Sequence, residues 1–416
     1  MFGFFKSKKT KAAKELLAVA YKVYNYRCDI IAESDAKDMS QMIEDLDELI
    51  LDGKVHTKDY DALSEKLEKL MRKCGGTIYP LTTIADYVDM IVVAGILALG
   101  IRQYFLQPFK IPTNSMFPTF YGMTSQVYKA GENAPNFPER LVRFALKGAS
   151  NYNLTAPADG DLYIEVSPPD GGARVRGFFA CDIVPVRAYF VWPTQERRYN
   201  MSIGGVKVPI AVPADFPMDS VIAEAFPEAA KNPAPEIVLS DGKYMLKLGS
   251  FKKGDRLLNF DILSGDMLFV DRVTYNFRKP KIGDAIVFKT KYCEGMTRLN
   301  GGVPDDKYYI KRLVGVGGDK LKVENGTLYR NGEPITGSIA FALNAQKKAP
   351  YRGYMQEGAL ADGNIVDIPQ KFCYAMGDNS ANSLDSRFWG FVPERALVGK
   401  SLIIFYPFTN RWGATK

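Results

Sequence analysis

The spacing of apolar and polar residues changes along the chain and divides it into regions. In residues 1–80 apolar positions recur at helical intervals, as in Tyr60, Leu63, Leu67 and Leu70, after a turn at Asp52-Gly53. This 3-4-3 spacing places the apolar side chains on one face of a helix. The pattern therefore predicts a helical hairpin or small bundle at the start of the chain.

The segment from Ile84 to Leu106 (84–106) is a candidate transmembrane helix. Its uncharged core, Met90 to Ile101, covers about 18 Å at about 1.5 Å per residue, which is less than the roughly 30 Å of a hydrocarbon layer. A spanning helix must therefore include charged residues at both ends, and a buried core helix is the alternative. Lysine and arginine are more frequent before this segment than after it. That bias predicts a single-pass protein with residues 1–80 in the cytoplasm and the C-terminal part outside.

From Thr124 onwards short apolar runs alternate with turn dipeptides, which predicts antiparallel β-structure. The turn dipeptides are Asp159-Gly160, Asp241-Gly242, Gly265-Asp266, Gly283-Asp284, Gly318-Asp319, Asn325-Gly326 and Asn331-Gly332. One short helix is predicted from Asp219 to Lys231, with Asp219 as its cap. The expected fold class is mainly β: an antiparallel β-rich domain, anchored by one transmembrane helix and preceded by an α-helical segment.

Composition excludes several classes of protein. A chain of 416 residues with 46% hydrophobic residues can bury a full core, so a disordered or fibrous protein is excluded. The net charge of +7 is not gathered in a basic stripe with aromatic residues, so no nucleic-acid partner is expected. The five cysteines form no CxxC pair, which predicts neither a metal site nor a disulfide framework. The single histidine, His56, lies far upstream of the motifs below and nearly excludes a Ser-His-Asp or Cys-His site.

Two segments contain candidate catalytic residues. In FLQPFKIPTNSMFPTF, Pro112 and Pro118 stiffen an extended stretch that holds Ser115 shortly after the apolar segment, although most single serines are only solvated turn residues. In DDKYYIKRLVGVGGDKLKV, Lys311 follows two tyrosines and an isoleucine on a predicted strand. Burial there would lower the pKa of the lysine from about 10.4 towards the working pH. A neutral amine could then take a proton from a serine hydroxyl.

A third segment, MGDNSANSLDSRFWGFVPERALVGK, is dense in short polar side chains. These side chains could hydrogen-bond an amine or one another, and Asp385 with Arg387 would form a supporting ion pair. The alternative is a polar loop capped by Trp389 without a chemical role.

Together with GDMLFVDRVTYNFRKPKIGDAIVF, these segments resemble the sequence boxes of the bacterial type I signal peptidases, in the order of that family. The resemblance covers roughly Ile91 to Lys129 and Leu263 to Pro407. It implies a membrane-bound serine endopeptidase of the bacterial cytoplasmic membrane that cleaves signal peptides from exported proteins after small residues, at Ala-X-Ala-like sites on the exoplasmic side. The implied partners are signal peptides and membrane lipid, with the export translocon as a further candidate, and no cofactor is implied.

The resemblance also implies a role for each matching residue. Ser115 would be the nucleophile and Lys311 the general base, and Ser383 would orient the lysine amine. The hydroxyl of Thr113 would join the Ser115 backbone N–H in holding the oxyanion. Supporting roles fall to Asp378, Asp385 and Arg387, and the residues implied to bind substrate are Ile111, Met116, Tyr309 and Ile310.

Two departures from the family pattern stand out. Residues 121–262 form a strand-rich insertion of unknown role between the parts of the catalytic domain, 107–120 and 263–416. Ser380 also replaces a residue that is commonly arginine, which puts one supporting contact in doubt. A cytosolic self-cleaving repressor is disfavoured by the apolar segment beside Ser115. A dedicated maturation protease for one or a few exported substrates, and an inactive membrane-anchored β-scaffold, stay as alternatives.

Overall fold

The computed structural model describes residues 8–80, 83–129, 131–167, 179–188, 192–231 and 236–415. The chain forms two compact units, Met1–Leu99 and Gly100–Lys416.

The first unit contains three helices before the candidate transmembrane segment. Its helices are α1 Lys8–Arg27, α2 Glu33–Leu51 and α3 Lys58–Cys74. The side chain of Thr57 accepts a hydrogen bond from the Tyr60 N–H and caps α3. Apolar side chains from all three helices meet in one buried core, which includes Val23, Ile43, Leu46, Leu67 and Met71. The helical periodicity of the sequence therefore corresponds to a three-helix bundle.

Helix α4 spans Thr83–Tyr104. Its Ile84–Tyr104 portion has 21 residues and a mean hydropathy of 2.0, and none of its most apolar window is buried, so it is long and apolar enough to cross a membrane. This exposure disagrees with the alternative of a buried core helix. The helix ends two residues before the predicted boundary, because Leu106 already belongs to strand β1, Leu106–Lys110.

Residues 121–262 contain many short strands. The strands are β2 Thr124–Val127, β3 Ser150–Thr155, β4 Gly160–Val166, β5 Cys181–Ala188, β6 Trp192–Tyr199, β7 Met201–Ile203, β8 Val206–Lys207, β9 Ile210–Pro213, β10 Ile237–Ser240, β11 Lys243–Phe251 and β12 Arg256–Leu263. They form three antiparallel sheets, in the orders β10-β11-β4-β7-β8, β2-β12-β3 and β5-β6-β9. Buried side chains from these sheets and from the short helix α6 Met218–Ala225 share one core, and Ala229 of the next helix, α7 Pro227–Lys231, packs against it.

The β-rich region contains several short helices where the sequence predicted one, and within residues 121–262 the differences fall at two places. Helix α5, Phe137–Lys147, was not predicted, although Asn136 caps it and Gly148 ends it in the left-handed conformation. Asp219 does not cap the later helix: α6 begins at Met218 after Pro217, so Asp219 lies in its first turn.

The remaining strands build the sheet that carries the candidate site. The elements are β13 Met267–Asp271, α8 Thr274–Phe277, β14 Ala285–Lys289, α9 Glu294–Leu299, β15 Tyr308–Val316, β16 Lys320–Glu324, β17 Thr327–Arg330, β18 Glu333–Pro334, α10 Ile339–Ala345, β19 Val366–Asp367, β20 Phe372–Met376, α11 Ser386–Trp389, β21 Val392–Pro393, β22 Leu397–Tyr406 and β23 Gly413–Ala414. The main sheet runs β1-β13-β22-β14-β15-β20-β21, with β23 on β22, and its neighbours are antiparallel. A smaller sheet has the order β18-β17-β16-β19.

Three of the seven predicted turns are tight hairpins. Asp241-Gly242, Asn325-Gly326 and Asn331-Gly332 each join two paired strands with both residues at positive φ, as a type I′ turn requires. The other four dipeptides lie at the starts of strands or between strands that pair elsewhere. Gly265-Asp266, for example, connects β12 to β13 in a different sheet.

Strand β15 has two neighbours along only part of its length. Strand β14 pairs with it from Tyr308 to Arg312, while β20 pairs with it only from Arg312 onwards. Within the described pairings, the stretch Tyr308–Lys311 therefore has one open side.

Candidate active site

Ser115 lies in a single 3₁₀ turn, Asn114–Met116, shortly after β1. The Ile111 N–H donates to the carbonyl of Asp266 at 2.8 Å, which fixes the chain before the turn. The Asn114 side chain accepts from the Gly122 N–H at 2.9 Å and donates to the Met123 carbonyl at 3.2 Å. The segment around Ser115 is therefore closed into a loop by its own asparagine.

Lys311 points from β15 towards this loop, and its Nζ lies 2.5 Å from the Ser115 Oγ, in direct hydrogen-bond contact. The lysine is only 4% exposed, although the side chain is long and charged. Tyr309, two positions earlier on the same face of the strand, places its ring centroid 5.9 Å from Nζ. The structure thus brings together the serine and the lysine that the sequence singled out, from positions 196 residues apart.

The loop after β20 holds the backbone around Ser115. The Asn379 N–H donates to the Ser115 carbonyl at 3.1 Å, and the Asn379 side chain donates to the Asn114 carbonyl at 3.0 Å. Gly377 has no room for a side chain, because a Cβ there would collide with the Ser115 carbonyl oxygen and with the Ser383 hydroxyl. The close approach of the two backbones explains why glycine and asparagine occur at these positions.

Arg312, which follows Lys311 on β15, forms a buried ion pair with Asp378. The guanidinium donates to both carboxylate oxygens, at 2.7 and 2.6 Å, and also to the Gly283 carbonyl at 2.7 Å. The Thr119 hydroxyl donates to the same carboxylate at 2.6 Å. Burial acts to lower the pKa of Arg312, but the Asp378 carboxylate outweighs it and raises that pKa overall. Burial also raises the pKa of Tyr354, and the charge of Asp378 adds to the shift.

Asp385 and Arg387 form a second buried ion pair, with donor–acceptor distances of 2.8 and 3.0 Å. Asp385 also accepts from the Gly377 N–H at 3.0 Å, and Arg387 donates to the carbonyls of Ser380 and Ser383 at 2.6 and 3.1 Å. Ser380 has its own contact, since its hydroxyl accepts from the Met355 N–H at 2.9 Å. The pair therefore fixes the loop from Gly377 to Arg387.

Ser383 does not make the hydrogen bond that its expected role implies, whereas the expected role of Thr113 requires a bound substrate. The Ser383 hydroxyl is buried but has no hydrogen-bond partner among the described residues, so it is not bonded to the Lys311 amine. Thr113 precedes the 3₁₀ turn with an exposed side chain that does not cap it. Both roles stay predictions.

The residues expected to bind substrate divide into two groups. Ile111 and Met116 are 4% and 0% exposed and belong to the core beneath the sheet, against which Ile310 packs. Tyr309 and Ile310 remain partly exposed to solvent. In this structure, therefore, the surface next to Lys311 is contributed by Tyr309 and Ile310 and not by Met116.

A surface cavity of about 660 Å³ lies elsewhere, lined by Tyr292, Arg298, Trp389 and Phe391 among others. Neither Ser115 nor Lys311 lines it. The described residues contain no group of three or more His, Cys, Asp or Glu side chains placed to hold a metal ion.

Sequence reasoning missed three residues of the site: Asn114, Thr119 and Arg312. Asn114 and Thr119 lie inside the segment already singled out, yet their partners depend on how that loop closes. Arg312 directly follows Lys311, so alternation along a strand predicts that it points to the opposite face. A long charged side chain on an inward face was the signal that could have indicated a buried ion pair.

Comparison with known proteins identifies the family of the chain. The family model described as "Signal peptidase, peptidase S26" matches residues 259–406. A probable signal peptidase I-1 from Synechocystis sp. is 32% identical over 149 residues, covering 36% of this chain and 66% of the relative, just under two thirds of its length. The signal peptidase I of Aquifex aeolicus is 30% identical over 192 residues, covering 35% of this chain and 70% of the relative. The chain belongs to the signal peptidase I family.

Among solved structures, a crystal structure of a signal peptidase I from Enterococcus faecalis aligns with 30% of this chain and 97% of its own. The identity is 23% and the TM-score 0.22, which is too low to define the fold.

Proposed function

We propose that this protein is a membrane-bound serine endopeptidase that removes N-terminal signal peptides from exported proteins. The observation that carries the proposal is the contact of 2.5 Å between the Lys311 Nζ and the Ser115 Oγ, inside a chain of the signal peptidase I family. An inactive β-scaffold would not need a buried lysine amine against a serine hydroxyl. The compact unit that contains Ser115 and Lys311 has no histidine, since the single histidine of the chain is His56, and this favours a base of another kind.

In the proposed mechanism the neutral Lys311 amine accepts the proton of the Ser115 hydroxyl while Oγ attacks the scissile carbonyl. Burial supports this role, because a low-polarity environment disfavours the ammonium form. The resulting ammonium then gives its proton to the leaving amine, and water activated by the same lysine hydrolyses the acyl-enzyme. The Ser115 backbone N–H and the Thr113 hydroxyl are the proposed oxyanion donors.

The substrate is proposed to bind as an added strand. Tyr308–Lys311 has one open side, and an extended peptide can hydrogen-bond to a strand edge of that kind. Tyr309 and Ile310, the neighbours of Lys311 on the strand, remain partly exposed to solvent. Their large side chains would leave little room there, which favours small residues at the substrate positions near the cut. Helix α4 is proposed to anchor the protein in the bacterial cytoplasmic membrane with the site on the exoplasmic side, where preproteins emerge. The translocon is a proposed partner.

The test is cleavage of preproteins by the purified full chain in detergent. Ser115→Ala, Lys311→Ala and Lys311→Arg should each abolish cleavage, because arginine keeps the charge but cannot be deprotonated. Lys307→Arg, an exposed lysine on the approach to the same strand, and His56→Ala are the matched controls and should keep full activity. Cleavage by Lys311→Arg at the rate of the unchanged protein would remove Lys311 as the base.

The same assay tests specificity. Leucine one or three positions before the cut should lower kcat/KM at least about tenfold, since overpacking a small pocket costs about 1–3 kcal/mol. A panel of unrelated signal peptides separates the general peptidase from a dedicated maturation protease, which would cut only one or a few of them.

A further inference from the structure

Helix α5 is attached to the protein by its charged side. Arg143 donates to the Asp261 carboxylate through Nε and Nη2, at 2.9 and 2.6 Å, and to the Gln126 side chain at 2.7 Å. The Asp261 side chain is only 2% exposed, so this ion pair lies under the helix, on the sheet β2-β12-β3. The side of α5 that faces the protein is therefore the side that carries Arg143.

The opposite side of α5 is apolar and faces outwards. At about 100° per residue, the apolar residues from Phe144 through Phe137 to Leu146 form one continuous arc, and the charged residues occupy the rest of the circumference. Arg143 lies nearly opposite the middle of the apolar arc. The exposed fractions of the large apolar side chains are 80% for Phe137, 62% for Leu141, 55% for Val142, 52% for Phe144 and 47% for Leu146. No residue of the helix is buried. The helix therefore has the reverse of the usual arrangement, in which the apolar side packs on the core.

A neighbouring turn extends this apolar surface. The Phe408 N–H donates to the Leu146 carbonyl at 3.0 Å, and the Tyr406 hydroxyl donates to the Phe144 carbonyl at 2.9 Å. Phe408 is 57% exposed. We call Phe137, Leu141, Val142, Phe144, Leu146 and Phe408 the α5 patch. A set of large exposed apolar side chains on one surface is typical of a site that contacts another protein or a membrane.

The charged residues around the α5 patch favour a lipid bilayer as its partner. Arg140 and Lys147 are exposed on α5, and the single acidic residue of the helix is Glu139. An apolar face with basic residues at its side is the pattern of helices that lie in the headgroup region of an anionic bilayer. The compact unit that contains the patch also begins at Gly100, inside the helix that could span the membrane.

We propose that the α5 patch lies in the lipid headgroup and upper acyl region of the membrane, with the helix axis parallel to the bilayer surface. The proposal rests on membrane anchoring by α4 and is independent of peptidase activity. It gives one part of the insertion a role, as a membrane contact in addition to the spanning helix.

The contact would bear directly on the site. The Ser264 N–H donates to the Lys147 carbonyl at 3.3 Å, at the end of α5, and two residues later the Asp266 carbonyl accepts from the Ile111 N–H at 2.8 Å. A short series of backbone hydrogen bonds thus joins the α5 patch to the segment that carries Ser115. Fixing α5 in the bilayer surface would hold that segment at a constant height above the lipid.

Spin labels on the full chain test the proposal. The partly exposed Cys28 and Cys181 are first changed to serine, and single cysteines are introduced as Leu141→Cys, as the matched control Glu139→Cys on the charged side of the same helix, and as Val93→Cys in α4. The protein is reconstituted in vesicles of phosphatidylethanolamine and phosphatidylglycerol. We expect the ratio of oxygen to water-soluble nickel accessibility to be at least about fivefold higher at position 141 than at 139.

The outcomes are distinguishable. Equal nickel access at positions 141 and 139, with position 93 protected, would overturn the proposal while leaving the anchor intact. Nickel access at position 93 would overturn the anchor and the proposal together. Spin–spin broadening between labels at position 141 would assign the α5 patch to a second copy of the chain and would also overturn it. Phe137→Cys, one turn earlier on the same face, should repeat the result of Leu141→Cys if that variant does not fold.

Discussion

The Arg312 guanidinium donates hydrogen bonds to both oxygens of the Asp378 carboxylate, and the two side chains are 1% and 0% exposed. Arg312 directly follows Lys311 on β15, and Asp378 directly precedes Asn379, which holds the Ser115 carbonyl. The ion pair therefore joins the strand that carries the proposed base to the loop that positions the proposed nucleophile.

Replacing only one residue of this ion pair should strongly destabilise the folded protein. Arg312→Met or Asp378→Asn leaves a buried partner uncompensated, so each should lower the free energy of unfolding by about 3–5 kcal/mol. Urea unfolding in detergent, followed by near-UV circular dichroism, measures the change. The double variant Arg312→Met/Asp378→Leu should be less destabilised than either single variant, because it leaves no unpaired buried charge.

Asp367→Asn is the control: its partner Lys320 lies at 3.4 Å and both side chains are exposed, so stability should not change. A double variant as unstable as the sum of the two singles would contradict this account.

Asn379 should act by positioning Ser115. Asn379→Ala removes the side-chain hydrogen bond to the Asn114 carbonyl, so kcat should fall by about 10- to 100-fold while KM changes little. Steady-state kinetics on one peptide substrate measure both constants. Asn382→Ala, an exposed asparagine three residues later in the same loop, should keep normal kinetics. A rise in KM with unchanged kcat would show that Asn379 contributes to substrate binding instead.

Thr113 tests the proposed oxyanion site. Thr113→Val is nearly isosteric and lacks the hydroxyl donor, so kcat should fall by about 10²- to 10³-fold with little change in KM. Thr113→Ser keeps the donor and should stay active. If Thr113 only fits an extended segment beside Pro112, valine should be tolerated better than serine. A fully active Thr113→Val protein would leave the Ser115 backbone N–H as the assigned donor.

The native cysteines provide a test of topology. Burial raises the pKa of Cys293 and of Cys373 to about 12, so both thiols should stay unreactive in the folded protein near neutral pH. Cys28, in the helical bundle, and Cys181, in the insertion, are partly exposed. In spheroplasts a membrane-impermeant maleimide should label Cys181 and spare Cys28, and permeabilisation should make Cys28 reactive. Labelling of Cys28 before permeabilisation would reverse the proposed orientation.

The sequence was most informative where the chemistry is local. Ser115 between two prolines, and Lys311 on a strand of tyrosine and aliphatic residues, could be singled out because each motif is contained in a few consecutive positions. The contacts of Asp378 could not be predicted, because its partner is 66 residues away and depends on the register between β15 and β20. The same limit applies to Ser383, whose buried hydroxyl makes no hydrogen bond among the described residues.

Helix α5 shows a different limit. Its capping residues, Asn136 and Gly148, are of types that commonly begin and end helices, but the surrounding turn dipeptides favoured strands throughout the region. Periodicity also reports only that a helix has an apolar side. Which side faces the protein depends on partners elsewhere, here Asp261 beneath Arg143.

The two ends of the insertion meet. The Asp266 N–H donates to the Tyr121 carbonyl and the Asp266 side chain accepts from the Tyr121 N–H, both at 2.8 Å, and Thr124 pairs with Leu263 across two antiparallel strands. Chain ends held this close form a junction at which a whole module can be gained, enlarged or lost while the flanking backbone keeps its course. The segment between them can therefore change in length or sequence while the backbone that leads to Ser115 stays in place.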